Sequence, residues 1–244
     1  MALSELPAFF SLRHVADIDS TNDEAKRQAA AGASQGLTVW ADRQTAGRGR
    51  QGRVWQSPPG NLYCSILLRP ECAAAEAAQL SFAAALAVCD ALAPWQPRCK
   101  WPNDVLIGDK KIAGILLESE AAGAHVAWLV IGIGINLAHH PAETETPATS
   151  LAALGTTMAP GDMVPALCGH FLRWHELWRR QGLAPLRRGW LDRAYGLGGE
   201  IRVRYAHTET RGRFVDLDAS GALVLENGEG THNISAGMVF PEDI

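Results

Sequence analysis

The chain has 244 residues, of which 47% are hydrophobic and 20% are charged, and its formal net charge is -4. This length and composition predict a soluble globular protein with one sizeable core and room for a small second domain. The acidic balance argues against duplex nucleic acid as the main partner, because proteins that bind it present a broad basic surface.

Targeting, redox and metal signals are weak. Residues 1–7 lack a basic segment followed by a long apolar core, and we find no apolar run of the roughly 18 to 20 residues that a membrane helix needs. The five cysteines are odd in number and form no C-x-x-C pair, which indicates reduced thiols and a cytoplasmic protein. The pairs His139/His140 and His170/His175 lack the spacing of a metal site, so none is predicted.

The first predicted elements are a helix and two strands. Residues 20–24 read Ser-Thr-Asn-Asp-Glu, a sequence whose oxygens can cap the free N–H groups of a helix. The helix should continue through residues 25–31 and end at the glycines that follow. Residues 37–41 and 62–68 are apolar runs that predict buried strands.

An arginine-rich segment lies between these two strands. Residues 47–55 read Gly-Arg-Gly-Arg-Gln-Gly-Arg-Val-Trp, and no Asp or Glu occurs from residue 43 to residue 70. Glycines let the backbone wrap closely round a small anion, and each guanidinium offers a planar fork of donors to phosphate or carboxylate oxygens. This segment, the arginine loop, is therefore a candidate anion-binding loop.

Two other interpretations of the arginine loop remain open at this point. Arg-Gly runs also occur in disordered RNA-binding tails, and glycine-rich basic turns are often merely solvated. The flanking apolar strands distinguish the segment from a low-complexity tail. They do not distinguish an anion site from a surface turn.

The middle of the chain predicts a helix, three strands and a second helix. Residues 73–92 are alanine-rich and have the composition of a buried helix. Residues 105–107 and 111–118 flank a Gly-Asp-Lys turn and predict a hairpin, and residues 128–136 predict a further strand. Apolar residues at helical spacing over residues 164–178 predict a helix that packs on the sheet. The acidic stretch at residues 141–147 is interpreted as a solvated loop.

The pattern changes near residue 196. Short apolar runs at residues 201–205, 210–217 and 222–226 are separated by turns that contain Gly and Asp. That spacing is typical of a small β-barrel. We therefore expect a catalytic domain over residues 1–195 and a barrel domain over residues 196–244.

Four separated motifs give the strongest functional signal. They are Asp19-Ser20-Thr21-Asn22, the arginine loop, Lys100-Trp101-Pro102-Asn103-Asp104 followed by Lys111, and Gly132-Ile133-Gly134-Ile135-Asn136. In this order they resemble the biotin protein ligases, enzymes that attach biotin to acetyl-CoA carboxylase and related carriers. The resemblance extends from about residue 13 to the C-terminus.

This resemblance implies a fold and a two-step reaction. The fold would be α+β, with a mixed sheet and helices packed against one face, followed by an SH3-like barrel. Biotin and ATP would give biotinyl-AMP and pyrophosphate, and the adenylate would then acylate one lysine of the biotin carboxyl carrier protein. Mg²⁺ is implied as the companion of ATP, since no dedicated carboxylate cage is visible. The family includes monomers and homodimers, and the sequence does not choose between them.

The resemblance also implies a set of site residues. Those expected to contact biotin are Ser20, Thr21, Asn22, Gln44, Gly47, Arg48, Gly49, Arg50, Lys111, Gly132 and Gly134. Those expected to contact the nucleotide are Arg48, Arg50, Arg53, Trp55, Asn103, Lys111 and Asn136.

Four residues are the candidates for the chemistry itself. Attack of a carboxylate on the α-phosphate brings two anions together, so fixed cations are needed, and we assign these to Lys111, Arg48 and Arg50. A lysine amine has a pKa of about 10.4, so the acceptor lysine must lose a proton before it attacks. Asp104 is the candidate that orients the amine and removes the proton. The alternatives are a solvated hairpin lysine at Lys111 and an Asx-turn at Asp104.

Structural roles remain open for other site residues. Ser20 and Thr21 can cap a helix, and one hydroxyl can do so while the other binds ligand. Gly132 and Gly134 are either positions of close ligand approach or members of a tightly packed strand. Trp55 either closes the arginine loop over the adenine side or belongs to the core.

We expect residues 45–54 to be disordered without ligand. A mixed anhydride hydrolyses readily, and a loop that folds down over it excludes water.

One departure from the family pattern and two rival functions complete the sequence-based picture. Many bacterial members carry an N-terminal helix-turn-helix domain, whereas here the first motif begins almost at once, so we expect no repressor role and no nucleic-acid partner. A lipoate ligase or transferase shares the fold, but its arginine, triple-glycine and histidine-aspartate motifs do not occur here. A non-catalytic RNA- or phosphate-binding module would not explain the presence of Lys111, Asp104 or the strand that contains Gly132 and Gly134.

Overall fold

A seven-stranded mixed sheet forms the larger part of the protein in the computed structural model, which describes residues 5–205 and 208–241. Its strands are β1 (Ser11–Ile18), β2 (Leu37–Gln44), β3 (Leu62–Leu68), β4 (Arg98–Lys100), β5 (Asp104–Ile107), β6 (Lys110–Ala122) and β7 (His125–Ile135). They are ordered β1-β2-β3-β7-β6-β5-β4. Only β1 and β2 run parallel, and the other neighbours are antiparallel. Residues 1–4, which belong to the segment searched for a secretory signal, lie outside the described residues.

Five α-helices accompany the two sheets of the protein in the described residues. They are α1 (Thr21–Ala30), α2 (Ala74–Ala78), α3 (Leu80–Ala91), α4 (Pro160–Gln181) and α5 (Leu183–Leu191). The hydroxyl of Ser20 caps α1 by accepting from the backbone N–H of Asp23 at 3.4 Å, as its sequence predicts. Helix α4 begins at Pro160 and ends at Gly182, which has a positive φ of 67°.

The helices cover both faces of the main sheet, which corrects the expectation of helices on one face only. Alternate residues of β3 separate the faces: Ile66 belongs to the large core beneath α3 and α4, whereas Leu67 packs with Ala25 and Ala29 of α1. Because α1 is short, it covers only part of its face. The remainder of that face is free to form a site.

One stretch of the chain is longer and more apolar than the sequence analysis recognised. Residues Ala74–Ala91 reach the length and mean hydropathy, 1.2, of a helix that could cross a membrane. In the structure this stretch forms α2 and α3, and 56% of it is buried inside the protein. Nine of the twelve residues of α3 are buried, which explains why the helix is apolar on most sides.

A five-stranded antiparallel sheet forms the C-terminal part, as the sequence predicts for an SH3-like barrel. Its strands are β8 (Glu200–Tyr205), β9 (Thr208–Leu217), β10 (Leu223–Asn227), β11 (Gly230–Ile234) and β12 (Met238–Pro241), in the order β11-β10-β9-β8-β12. The last two strands were not predicted: β11 has a single large apolar residue, Ile234, and β12 spans only four residues.

The barrel is fixed to the main sheet next to one of the sequence motifs. The indole Nε1 of Trp101 donates to the carbonyl of Gly221 at 3.2 Å. Gly221 has a φ of 90°, and a Cβ there would lie 2.6 Å from the ring of Phe82. Arg187 of α5 donates to the carbonyl of Leu217 and pairs with Asp216. These contacts place the edge of the barrel beside residues 100–104.

The buried His175 predicts a pH-dependent stability. It is 3% exposed, stacks against Phe171 and Trp178, and burial lowers its pKa from 6.5 to about 4. As pH falls, the unfolded chain binds this proton first, so the free energy of unfolding decreases. From about pH 7.5 to about pH 5 we expect this residue to account for about 2 kcal/mol of the decrease.

Chemical denaturation at the two pH values measures this effect. His175→Phe keeps an aromatic ring and should lose less stability between them than the wild type. His125→Phe, at an exposed position, is the matched control and should lose as much as the wild type. Equal losses in all three proteins would contradict the assignment.

Candidate active site

A cavity of about 440 Å³ opens on the α1 face of the main sheet. It brings together residues from all four sequence motifs. The residues predicted for the site that line it are Ser20, Thr21, Asn22, Gln44, Arg48, Gly49, Arg50, Arg53, Trp55, Asn103, Asp104, Lys111, Gly132, Gly134 and Asn136. Gly47 lies beside them: a Cβ on it would lie 2.5 Å from the carbonyl of Trp55 and 2.6 Å from the hydroxyl of Ser57.

The floor of the cavity is a strip of backbone without side chains. Gly114 of β6 pairs directly with Gly134 of β7, and Gly132 lies two residues along on the same face. The indole of Trp55 lies flat on this strip, since a Cβ on Gly134 would meet its ring at 2.6 Å and one on Gly114 would meet it at 3.0 Å. The indole N–H of Trp55 is buried and has no hydrogen-bond partner among the described residues.

A chain of hydrogen bonds closes one end of the cavity. The backbone N–H and the hydroxyl of Thr21 both donate to Oε1 of Gln44, at 2.8 and 3.1 Å. Gln44 in turn donates to Ser57 at 2.9 Å. The hydroxyl of Ser65 lies 2.8 Å from that of Thr21 and 2.6 Å from Oδ1 of Asn22. This end, the polar end, therefore presents several orientable donors and acceptors.

Gly132 shapes the polar end. A Cβ on Gly132 would lie only 2.2 Å from Oδ1 of Asn22. Asn22 is 4% exposed and donates to Glu118 at 2.7 Å, so it cannot move aside cheaply. Glycine at this position thus allows α1 to approach the sheet closely. Gly132 is therefore a position of close protein packing beside the cavity.

The opposite end of the cavity collects positive charge. Nζ of Lys111 lies 2.6 Å from Oδ1 of Asp104 and 5.3 Å from the centre of the Trp55 ring. Arg50 lies against Asn103, with 3.4 Å between its Nη1 and Oδ1. Lys100, which is 6% exposed, donates to Thr146 at 3.0 Å. Because these groups point at one volume, this cationic end suits phosphate oxygens.

Burial disfavours the charged form of two of these cations. It lowers the pKa of Arg50 and that of Lys100, in both cases as the largest cause. Both side chains have therefore lost hydration. A bound anion would restore favourable interactions to them, which favours binding at this end.

Arg48 points away from the cationic end. Its guanidinium forms two hydrogen bonds with Asp23, at 2.5 and 2.7 Å, and lies 3.6 Å from Glu118. From the sequence, Arg48 and Arg50 were predicted to act together as fixed cations in the first chemical step. The structure separates the two guanidinium groups, with one on each side of the cavity.

Two predicted nucleotide contacts also hold the protein itself together. The side-chain amide of Asn103 donates to the carbonyl of Ile115 at 2.6 Å, which ties the turn after Trp101 to β6. The amide of Asn136 donates to the carbonyl of Thr149 at 3.0 Å and is 3% exposed. Both residues border the cavity, and both use a donor for these contacts.

Residues 141–147 form one wall of the cavity, so the interpretation as a plain solvated loop was incomplete. Their outer side is exposed, but Glu143, Thr144 and Thr146 line the cavity. Glu145 pairs with Arg204 of the barrel and lies 3.9 Å from Arg53 of the arginine loop. Residues 141–147 thus connect the arginine loop to the barrel.

Several other residues at the site were not predicted from the sequence. Ser65 was read only as part of a buried strand, although a hydroxyl amid apolar neighbours was an available signal. Lys100 belongs to one of the four motifs, but no role was predicted for it. Nothing in the local sequence around Gly237, Met238 and Val239 indicates that the edge of the barrel lines the cavity. Only the folded chain brings these segments together.

Comparison with known proteins agrees with this geometry. The Biotin/lipoate A/B protein ligase family model matches residues 15–136, and the Biotin protein ligase C terminal domain model matches residues 196–240. The biotin protein ligase of Aquifex aeolicus, solved in complex with biotin and ATP, is 28% identical with a TM-score of 0.79, over 94% of this chain and 97% of that one.

Two sequence relatives cover most of the chain. A biotin--[acetyl-CoA-carboxylase] ligase of Paracoccus denitrificans is 42% identical, over 93% of this chain and 98% of the relative. The bifunctional ligase/repressor BirA of Bacillus subtilis is 36% identical, over 89% of this chain and 70% of the relative. With the sequence motifs, the fold and the cavity now in agreement, the chain belongs to the biotin protein ligase family.

Proposed function

We propose that the protein is an ATP-dependent biotin protein ligase. It activates biotin to biotinyl-AMP with release of pyrophosphate, and then transfers biotin to a lysine of the biotin carboxyl carrier protein of acetyl-CoA carboxylase. The names of the relatives and the ligands of the Aquifex structure support this proposal.

The observation that carries the proposal is the difference in polarity between the two ends of this cavity. Its polar end, with Thr21, Gln44 and Asn22, offers both donors and acceptors, as the ureido group of biotin requires. Its cationic end, with Arg50 and Lys111, suits a carboxylate and phosphates. Biotin has its ureido ring and its carboxylate at opposite ends of one molecule, so it fits this arrangement.

The first step follows from the cationic end. The biotin carboxylate attacks the α-phosphorus of ATP, an O–P bond forms, and pyrophosphate leaves. Lys111 and Arg50 hold the two anions together and stabilise charge on the phosphoryl oxygens. The described residues contain no group of three or more His, Cys, Asp or Glu arranged to hold a metal ion. We therefore expect Mg²⁺ to be carried by the phosphates of ATP.

The second step is assigned to the neighbourhood of Asp104. The acceptor amine attacks the carboxyl carbon of biotinyl-AMP, an amide forms, and AMP leaves with the electrons of the cleaved bond. Asp104 is 2.6 Å from Lys111, so it lies beside the group that holds the activated carboxyl. From there it can orient the incoming amine and accept its proton.

Lipoate is a poorer fit to the same cavity. Its dithiolane ring has no hydrogen-bond donors or acceptors comparable to a ureido group, so the polar end would lose solvent without gaining partners. A typical hydrogen bond contributes about 0.5–1.5 kcal/mol, and lipoate would forgo those that a ureido group can make at this end. This argues against the lipoate ligase alternative.

ATP-dependent labelling of a purified biotin carboxyl carrier domain tests the proposal. Biotin and lipoate are supplied side by side, and an acceptor with its target lysine replaced serves as the control. We expect biotin on that lysine alone, with release of pyrophosphate. Transfer of lipoate in preference to biotin, or no pyrophosphate with either acid, would refute the assignment.

Replacing Gly132 by alanine should weaken biotin binding selectively. The new Cβ collides with Oδ1 of Asn22 and displaces it from the polar end. We expect the KM for biotin to rise about tenfold or more while the KM for ATP changes little, since loss of one hydrogen-bonding group costs about 1–3 kcal/mol.

Gly169→Ala is the matched control for this substitution. Gly169 lies in α4, and a Cβ there meets nothing within 4 Å. Steady-state pyrophosphate release measures both constants. Equal changes in the two KM values for Gly132→Ala would show a general structural defect and contradict the selective effect.

Replacing Asp104 by asparagine should slow the transfer step. The amide keeps the size of the side chain but cannot take a proton, and general-base assistance contributes about 100-fold or more to rate. Preformed biotinyl-AMP mixed with acceptor in a single turnover measures the step directly. Asp192→Asn, at an exposed position outside the cavity, should transfer at the wild-type rate. A wild-type rate in Asp104→Asn would remove the proposed role.

A further inference from the structure

Four charged side chains form a compact cluster beside the polar end. Arg48 donates two hydrogen bonds to Asp23, and Lys26 lies 2.6 Å from Asp23 and 2.8 Å from Glu118. Glu118 also accepts from Asn22 and lies 3.6 Å from Arg48. We call Asp23, Lys26, Arg48 and Glu118 the anchor cluster. It joins the first turn of α1, the arginine loop and strand β6.

Arg48 is at the neck of the arginine loop. It forms an antiparallel bridge with Val54, and the N–H of Trp55 donates to the carbonyl of Gly47 at 2.9 Å. Inside the neck, the N–H of Gly49 donates to the carbonyl of Arg53 at 2.7 Å. The backbone reverses at Gln51, which has a left-handed φ of 57°. Whatever holds Arg48 therefore holds both ends of the loop.

The charges of the anchor cluster balance internally. Two carboxylates face two cations, so Arg48 has no unmatched charge to offer a ligand. The hydrogen bonds from Arg48 are the largest cause that keeps the pKa of Asp23 well below its usual range. Burial raises the pKa of Glu118, but hydrogen bonds from Lys26 and Asn22 more than offset this and lower it. Both carboxylates thus remain ionised at neutral pH.

Comparison with a nearby ion pair shows that the anchor is better shielded from solvent. The side chains of Asp23 and Arg48 are 25% and 35% exposed, whereas those of Asp19 and Arg27 are 45% and 50% exposed. Both pairs are bidentate, and in both the carboxylate lies at or just before the start of α1. Solvent and salt screen the attraction within an ion pair less when the pair is less exposed. The Asp23–Arg48 pair should therefore be held more firmly than the Asp19–Arg27 pair, and it is the Asp23–Arg48 pair that includes a residue of the arginine loop.

We propose that Asp23 is a positioning residue, which, with Glu118, anchors the arginine loop through Arg48 and so controls how long the activated biotin is retained. The same turn of α1 supplies Thr21 and Asn22 to the polar end, so one short segment fixes both the site and its cover. Arg50, beyond the neck, faces the cationic end. The part of the proposal that concerns retention rests on the proposed function.

The anchor also restricts where the loop is free to move. The sequence-based expectation was disorder over residues 45–54 without ligand. With the neck anchored, we expect mobility to be confined to residues 50–52. The amides of Gly49 and Trp55 should be protected from exchange in the ligand-free protein, because both donate within the neck.

Asp23→Asn tests the anchor, with Asp19→Asn as the matched control. In Asp23→Asn we expect amide exchange at Gly49 and Trp55 to be about tenfold faster, and dissociation of preformed biotinyl-AMP to be about tenfold faster. In Asp19→Asn neither should change. Arg48→Lys, which keeps the charge but not the paired hydrogen bonds, should lie between the wild type and Arg48→Ala.

A double variant distinguishes anchoring from a general structural effect. If Asp23 acts through Arg48, then Asp23→Asn combined with Arg48→Ala should release the adenylate no faster than Arg48→Ala alone. Independent, multiplying effects would overturn the proposal. So would unprotected neck amides in the wild type, or adenylate release in Asp23→Asn at the wild-type rate.

Amide exchange and adenylate release test this proposal separately from the proposed function. Amide exchange requires no ligand, so it tests the anchor even if the wild type forms no adenylate. Absence of adenylate in the wild type would defeat the ligase assignment and the retention claim. Protected neck amides that become exposed in Asp23→Asn would still establish the anchor.

Discussion

The close pairing of two glycine-bearing strands is the constraint on which the site depends. Gly114 and Gly134 face each other across β6 and β7, so a strip of the sheet has no side chains on the α1 face. A sheet face normally buries its residues under a helix, but α1 covers only one end of this face. The uncovered strip becomes a floor, and residues from distant segments form walls around it. A Cβ at Gly134 would push Trp55 off the floor, and one at Gly114 would crowd its ring.

Charge in the cavity is arranged before any ligand binds. The carboxylate of Asp104 holds Lys111, while burial keeps Lys100 and Arg50 partly dehydrated, so these cations are in place where two anions must meet. Such preorganisation lowers the cost of bringing a carboxylate to a phosphate, because little protein reorganisation remains to be done. Arg48, by contrast, has its charge matched within the protein.

Local pattern predicted most of the fold but not β1, β4, α5, β11 or β12, and contacts between distant segments account for the features of the site that were missed. Strand β3 was predicted at its observed bounds, since an apolar run between turn residues is a local signal. The cap at Ser20 was likewise local. The covering of both sheet faces, the role of Ser65 and the wall at residues 141–147 depend on contacts between segments far apart in sequence. The opposite directions of Arg48 and Arg50 depend on Asp23 and Asn103, which no spacing rule connects to them.

The central claim is that one cavity binds the ureido ring at its polar end and the activated carboxyl at its cationic end. A crystal structure with a hydrolysis-resistant analogue of biotinyl-AMP tests this most directly. We expect the ureido group within hydrogen-bond distance of Thr21 and Asn22, and the phosphate mimic between Arg50 and Lys111. A ligand in the reverse orientation, or one bound outside this cavity, would contradict it.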